Sequence, residues 1–404
     1  MRKILSRQIQ EIRADPALRF YGAALGAAHA LAFLAWGRGT GPRIADPATS
    51  VCWPFFEDCF AYRWLSGDQW TAVIFAGGLL SVAAASLLPS GKRATAGWAL
   101  LMAAELVRLL VFAQDYTLRL NQHYFLSFAT WIYLFLPGKR NLLQYYLVFV
   151  YVWAGILKLD MEWLSGAALY DDPLFIPKAL IPASCVYVVV LECLFSWGML
   201  SRVRWIYWGT LAQLCLFHLV SFSVVGFYYP LLMYLLLTIF PLTYFLTGDR
   251  GPENLLGSLL RGVQPRLTYG FLLGFSMLQL VPRAFPGDEA LTGEGRLFAI
   301  HMFDARVVCQ GAITQRFADR PDERIEIPNA GPPRTRCDPT VYFSQARRQC
   351  WQNRGASGFV DLDLFIESRR QTEAELRTVV DVTNFCARAP SYTMLWPNDW
   401  IRRH

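Results

Sequence analysis

Nine stretches of this chain are long and apolar enough to cross a hydrocarbon core of roughly 30 Å at a helical rise of about 1.5 Å per residue. No other feature constrains the fold as strongly. They lie near residues 20 to 37, 70 to 88, 96 to 114, 122 to 136, 140 to 158, 178 to 200, 204 to 222, 224 to 246 and 268 to 282. The fourth and ninth are short, as tilted or partly re-entrant helices would be. Composition agrees: of 404 residues 54% are hydrophobic, 15% aromatic and only 17% charged, which is too apolar for an ordinary soluble enzyme. The expected fold is mainly α, a polytopic transmembrane helical bundle of about nine spans with a small C-terminal outer-face domain of mixed β and α structure.

Lys and Arg set the orientation. They crowd the N-terminal lead 1–19 (Arg2, Lys3, Arg7, Arg13, Arg19) and the even connections (Lys92 and Arg93, Lys139 and Arg140, Arg202 and Arg204, then Arg250, Arg261 and Arg266). The odd connections are mixed or acidic, with Asp46, Glu57, Asp58 and Asp68 in the first and Asp160, Glu162, Asp171 and Asp172 in the third odd one, between the fifth and sixth spans. By the positive-inside rule the basic set is cytoplasmic. The net charge of +7 then reflects orientation, not nucleic-acid binding. No cleavable signal is evident, so the first span of the 20–282 membrane domain is expected to direct insertion into a membrane such as a bacterial inner membrane.

With nine spans, residues 283–404 fall outside, in a periplasm or equivalent lumen. Cys309, Cys337, Cys350 and Cys386 lie there, Cys52 and Cys59 lie in the first outer loop, and no cysteine lies in a cytoplasmic loop. That distribution suits disulfides, with the pairing left open. In the tail, ERIEIP and GFVDLDLFIES alternate as strands do, whereas TEAELRTVVDVTNFCAR is expected as a helix.

Topology assigns a depth to each awkward polar residue. His123 opens the fourth span, Lys158 closes the fifth and His218 lies near the end of the seventh, so all three converge on the outer level. A lysine at a helix end can simply snorkel. A desolvated one among aromatics can instead lose its proton and act as a base, and a nearby histidine can donate to a developing oxyanion. Gly155 admits a close backbone or ligand, and Trp153 and Trp163 flank the lysine. Glu105 and Arg108, three apart, are expected to neutralise each other or a neighbour; Glu192 has no local partner and would pair with Arg108 or line a cavity; His29 reads as packing. No metal-binding spacing, phosphate-binding glycine loop or nucleophile elbow occurs.

The segment YVWAGILKLDMEWLSG (151–166) resembles the AG-x-K-K-L-D-x-x-W-x-x-G signature of vitamin K-dependent gamma-glutamyl carboxylases and related bacterial HTTM-domain membrane proteins. NQHYFLSF precedes it, and LECLFSWGMLSR and FHLVSFSVVGFYYP follow, in the family's order. The likeness covers residues 15 to 285. It implies that Lys158 deprotonates reduced vitamin K, a naphthoquinol, which reacts with oxygen; the base so formed removes a proton from a glutamate side chain, to which carbon dioxide adds. It further implies that His123 stabilises an anionic intermediate and that His218, Trp153 and Gly155 line the quinone cavity. The partners implied are membrane lipid, a quinone and a glutamate-containing peptide or protein, with no nucleic acid and no metal. Where vertebrate members carry two adjacent lysines this chain has Leu157 and Lys158, and its outer domain is much shorter. The competing reading is a non-catalytic quinone- or lipid-binding membrane protein.

Overall fold

Apolar runs dominated by Ala, Leu, Val and aromatic residues pair their backbone groups internally, and the chain accordingly folds as a mainly helical protein with a small sheet domain. The computed structural model describes residues 2–169, 176–248, 266–297, 299–300, 307–327 and 335–403. Asp171, Asp172, Arg250, Arg261 and His301 fall outside them. Two compact units result, one formed by residues 1–42, 67–111 and 120–277, the other by 43–66, 112–119 and 278–404.

The first unit contains α1 (Arg2–Ala14), α2 (Pro16–Ala45), α3 (Gly67–Leu87), α4 (Ala94–Phe112), α5 (Asn121–Phe135), α6 (Lys139–Leu157), α7 (Met161–Leu164), α8 (Ile181–Cys193), α9 (Arg204–Val225), α10 (Tyr228–Leu237), α11 (Ile239–Thr247) and α12 (Arg266–Leu280). Asp15 separates α1 from α2: its carboxylate accepts from the amides of Ala17 (2.8 Å) and Leu18 (3.2 Å), and Pro16 fits the first helical turn. α2 breaks at Gly37, whose φ of 53° is open mainly to glycine.

Among the described residues six segments are long and apolar enough to cross a membrane: Pro16–Gly37, Gly67–Leu87, Ala94–Phe112, Lys178–Leu200, Arg204–Val225 and Tyr228–Thr247. Their outward faces carry Leu34, Phe75, Leu79, Leu106, Leu216, Leu219 and Phe245, all exposed, as suits contact with lipid. The other three expected spans form helices that meet the requirement less well. α5 and α12 have 15 residues each, about 22 Å at the standard rise. α6 has 19 residues but opens on Lys-Arg-Asn.

The second unit is built on an antiparallel sheet ordered β2-β1-β3-β4, with β1 Val307–Phe317, β2 Glu323–Glu326, β3 Phe359–Arg370 and β4 Arg377–Val382. Short helices α13 (Glu289–Thr292) and α15 (Phe385–Arg388) accompany α14 (Pro339–Gln352), and Leu362, Leu364 and Ile366 of β3 share a core with Phe343 and Trp400. ERIE and FVDLDLFIES are strands, as alternation predicts. The helix expected over TEAELRTVVDVTNFCAR is instead β4 and the one-turn α15: Thr378, Val379, Val380 and Val382 are β-branched, and pairing with β3 buries the three valines.

Residues 43–66 and 112–119 are integral to this unit. Tyr116 donates to Asp338 (2.8 Å), the cap of α14; the Cys52 amide donates to Ser344 (2.9 Å); Arg347 pairs with Glu57 at 2.5 Å. Disulfides join Cys52 to Cys59, Cys309 to Cys337 and Cys350 to Cys386, while Cys185, Cys193 and Cys215 are thiols. Alkylating the denatured, unreduced protein should therefore label those three thiols alone, and peptide mass mapping after reduction should reveal the other six.

Asp288 caps α13 through the Ala290 amide and takes both Nε (2.6 Å) and Nη2 (2.8 Å) of Arg370. Burial alone would raise its carboxyl. The Arg370 hydrogen bonds and charge, the Ala290 amide and the charge of Arg296 outweigh burial and hold it below the ordinary value. Because folding lowers this pKa, the stabilisation is present above the unfolded-state value of about 3.9 and is lost as pH falls through the lower folded-state value. Asp288→Asn should lower the unfolding temperature near neutrality and flatten its fall below about pH 4, measured by thermal unfolding of the detergent-solubilised chain.

Candidate functional site

Lys158 follows the last residue of α6 as its cap, with φ −90° and ψ 0°, so the ammonium leaves the end of an apolar helix. Its partner is Glu192 on α8: Nζ donates to Oε1 at 2.6 Å and to Oε2 at 2.5 Å, with the two side chains 3% and 0% exposed. The third N–H has no acceptor among the described residues. The ammonium lies 5.3 Å from the Trp163 ring centroid and 5.8 Å from that of Phe217. Two opposite charges out of water require each other, and removing one alone costs about 3–5 kcal/mol.

Gly155 makes the pair possible. A Cβ there would stand 2.5 Å from Cys193 Sγ, 3.1 Å from Glu192 Cβ and 3.2 Å from the Cys193 amide nitrogen. α8 thus packs against bare α6 backbone one turn before Lys158. The close approach expected at Gly155 is that of a helix, which occupies the space a ligand would need. Trp153 does not flank the lysine: its indole donates to Ser276 of α12 at 3.0 Å. Trp163 is the flanking indole, fixed by donating to the Cys185 carbonyl at 3.0 Å.

His218 is fully buried on α9, its Nε2 2.6 Å from the Tyr151 hydroxyl, while Nδ1 has no partner among the described residues. Its ring centroid lies 5.0 Å from Phe217, which also neighbours the Lys158 ammonium, and 5.5 Å from Tyr229. One apolar-walled cluster therefore holds Lys158, Glu192, His218 and Tyr151.

His123 belongs to a second cluster. Arg108 donates to both oxygens of Glu105, through Nε (2.9 Å) and Nη2 (3.1 Å), and Nη1 lies 3.3 Å from His123 Nδ1. A guanidinium only donates, so Nδ1 accepts and the His123 proton resides on Nε2. The Tyr228 hydroxyl is 3.3 Å from the same nitrogen, and Trp36 covers the ring at a centroid distance of 4.9 Å. His29, read from sequence as packing, sits 3.0 Å from Thr130 Oγ1 and 3.8 Å from Glu105 Oε2. Glu105 and Arg108 neutralise each other as their spacing predicts, and in addition they set the tautomer of His123. Tyr228 and Tyr229, adjacent at the start of α10, touch the second and first clusters respectively.

Of the two sequence readings of Glu192, pairing with Arg108 or lining a cavity, the first is overturned: its partner is Lys158. A carboxylate in one apolar span without a local counter-charge, and an ammonium at the end of another, were the signal that could have paired them. In comparisons with known proteins no family model, no curated protein and no solved structure matches the chain.

Gly155→Ala should cost about 1–3 kcal/mol by forcing α6 and α8 apart. Cys193→Ala in the same chain should recover part of that loss by removing the nearest obstructing atom; the unfolding temperatures of wild type and the two variants measure it.

Proposed function

We propose that the protein is an integral membrane enzyme of the vitamin K-dependent gamma-glutamyl carboxylase type, in which the Lys158–Glu192 pair is the proton acceptor. The observation that carries this reading is a buried, net-neutral ammonium–carboxylate pair set between aromatic rings, at the one lysine that the sequence resemblance singles out. The surroundings suit a flat quinol: Trp163 and Phe217 offer ring faces, Tyr151 and Tyr229 border the same cluster, and Nδ1 of His218, without a partner among the described residues, is a polar anchor. When bound, a reduced naphthoquinone reacting with oxygen supplies the base strong enough to take a glutamate γ-proton, to whose carbon carbon dioxide then adds.

The chain's own part is proton management. In the resting pair Nζ carries a proton shared with Glu192 along short hydrogen bonds. Lys158 passes that proton to a Glu192 oxygen and takes another from a hydroxyl brought to Nζ. The O–H bond is broken, N–H and carboxyl O–H bonds are held, and the pair moves from neutral to a single positive charge beside the anion it has made. In a low-dielectric setting that compensation is strong. His123, with its proton on Nε2, donates to an anionic oxygen, and the Glu105–Arg108 fork keeps that tautomer in place.

Nine spans and an outward-facing C-terminus complete the proposal. Its support is that residues 43–66 and 112–119, two connections that charge alternation assigns to the outer face, fold into one unit with 278–404, and that all three disulfides lie in that unit.

One observation favours the second reading, a quinone- or lipid-binding protein without catalysis. Lys158 is already neutralised by Glu192, as in a purely structural link between α6 and α8. The readings separate on incubation of purified protein with reduced vitamin K, oxygen, labelled bicarbonate and a glutamate peptide. We expect vitamin K epoxide and label in the peptide, both reduced at least about 100-fold in Lys158→Ala. Epoxide formation unaltered by that change would sink the catalytic role. Replacing both partners, Lys158→Met with Glu192→Leu, should leave stability near wild type and abolish turnover. Quinone binding without turnover in the wild type, unchanged in the double variant, would establish the second reading.

A further inference from the structure

A groove of about 740 Å³ opens at the end of the helical unit where α1 meets α2 and α3 turns into α4, lined by Gln10, Arg13, Ala14, Arg19, Ser90, Gly91 and Lys92. It contains three cationic side chains and no carboxylate. The nearby acids of α1 and its cap are committed elsewhere: Glu11 accepts from the Lys139 amide at 2.8 Å, and Asp15 caps α2 and pairs with Arg140 at 3.2 Å. Gathering three like charges without a counter-ion is unfavourable unless an anion joins them.

The two arginines are held in place by backbone. Arg13 Nε donates to the Gly91 carbonyl at 3.1 Å, and Arg19 Nη1 donates to the Pro89 carbonyl at 3.3 Å. Arg19 Nε is buried and has no acceptor among the described residues. A buried charged N–H without a partner forfeits its hydration and gains nothing in return, which leaves it available to an incoming oxygen. Lys92 is exposed at the rim.

The groove's depth selects the ligand. Its residues sit at the start of the span Pro16–Gly37 and in the turn between the spans Gly67–Leu87 and Ala94–Phe112. Helix ends of membrane spans lie at the level of lipid headgroups. We propose that this groove binds the phosphate of an anionic glycerophospholipid, with Arg19 and Arg13 as guanidinium donors to phosphate oxygens and Lys92 as a point charge at the rim. The site is independent of the chemistry at Lys158.

The test uses the purified full chain in a neutral detergent, titrated with phosphatidylglycerol, phosphatidylcholine or inorganic phosphate, and read by unfolding temperature and by native mass spectrometry. Phosphatidylglycerol should raise the unfolding temperature and remain bound in the spectrum; phosphatidylcholine should do neither. Arg13→Gln with Arg19→Gln should abolish the effect. Lys92→Gln, which removes no side-chain hydrogen bond or ion pair among the described residues, should weaken the apparent affinity about two- to fivefold and leave the lipid-free unfolding temperature unchanged. Equal responses to the two lipids, or a wild-type phosphatidylglycerol response in Lys92→Gln and in the double variant, would overturn the site. An equal shift with millimolar inorganic phosphate would overturn the assignment to lipid and leave a soluble phosphate as the ligand.

Discussion

The contact between Lys158 and Glu192 organises the helical unit, because neither side chain can be buried without the other. Each is nearly inaccessible, on different helices, and 34 positions apart in the chain. Their union demands that α6 and α8 approach more closely than side chains usually allow. Gly155 meets that demand on one helix, and on the other the Cys193 thiol lies 3.8 Å from the Val152 carbonyl. A polar requirement thus fixes an apolar packing geometry, and the aromatic rings around the ammonium follow from where that packing leaves Trp163 and Phe217.

The same logic recurs around Arg108. Its guanidinium engages Glu105, Ser127 and His123 and is fully buried, so the fold commits donors from all three of its nitrogens to one acidic group, one hydroxyl and one imidazole. Two buried ionic centres, each neutral in sum, therefore stand in one helical unit, linked through consecutive tyrosines of α10. Charge is retained here at a cost in desolvation that leucine or methionine would avoid. That cost is what makes a chemical role for both centres worth testing.

The helical layout was legible because hydrophobic length is a direct consequence of bilayer thickness, and Lys158 stood out because an ammonium interrupts such a run. What was not legible is partnership across distance. Glu192 offered no neighbour at helical spacing, His29 looked like an isolated packing residue until Thr130 and Glu105 were brought beside it, and Gly155 could not declare whether helix or ligand would approach. In the tail, TEAELRTVVDVTNFCAR was expected as a helix, and only the edge of β3 made the Thr378–Val382 run a strand. Local pattern reports what a segment can bury; it does not report against what.

The second unit is stitched from three stretches that the ribosome makes far apart in time. Asp115 accepts from the Val51 amide at 3.3 Å, yet Tyr116 and the Cys52 amide must wait for Asp338 and Ser344, which are made some two hundred residues or more later. The earliest loop is thus made, and left without its partners, while most of the helices are still to be synthesised. By the same reasoning, residues 278–404 expressed alone would lack the two pieces that complete them.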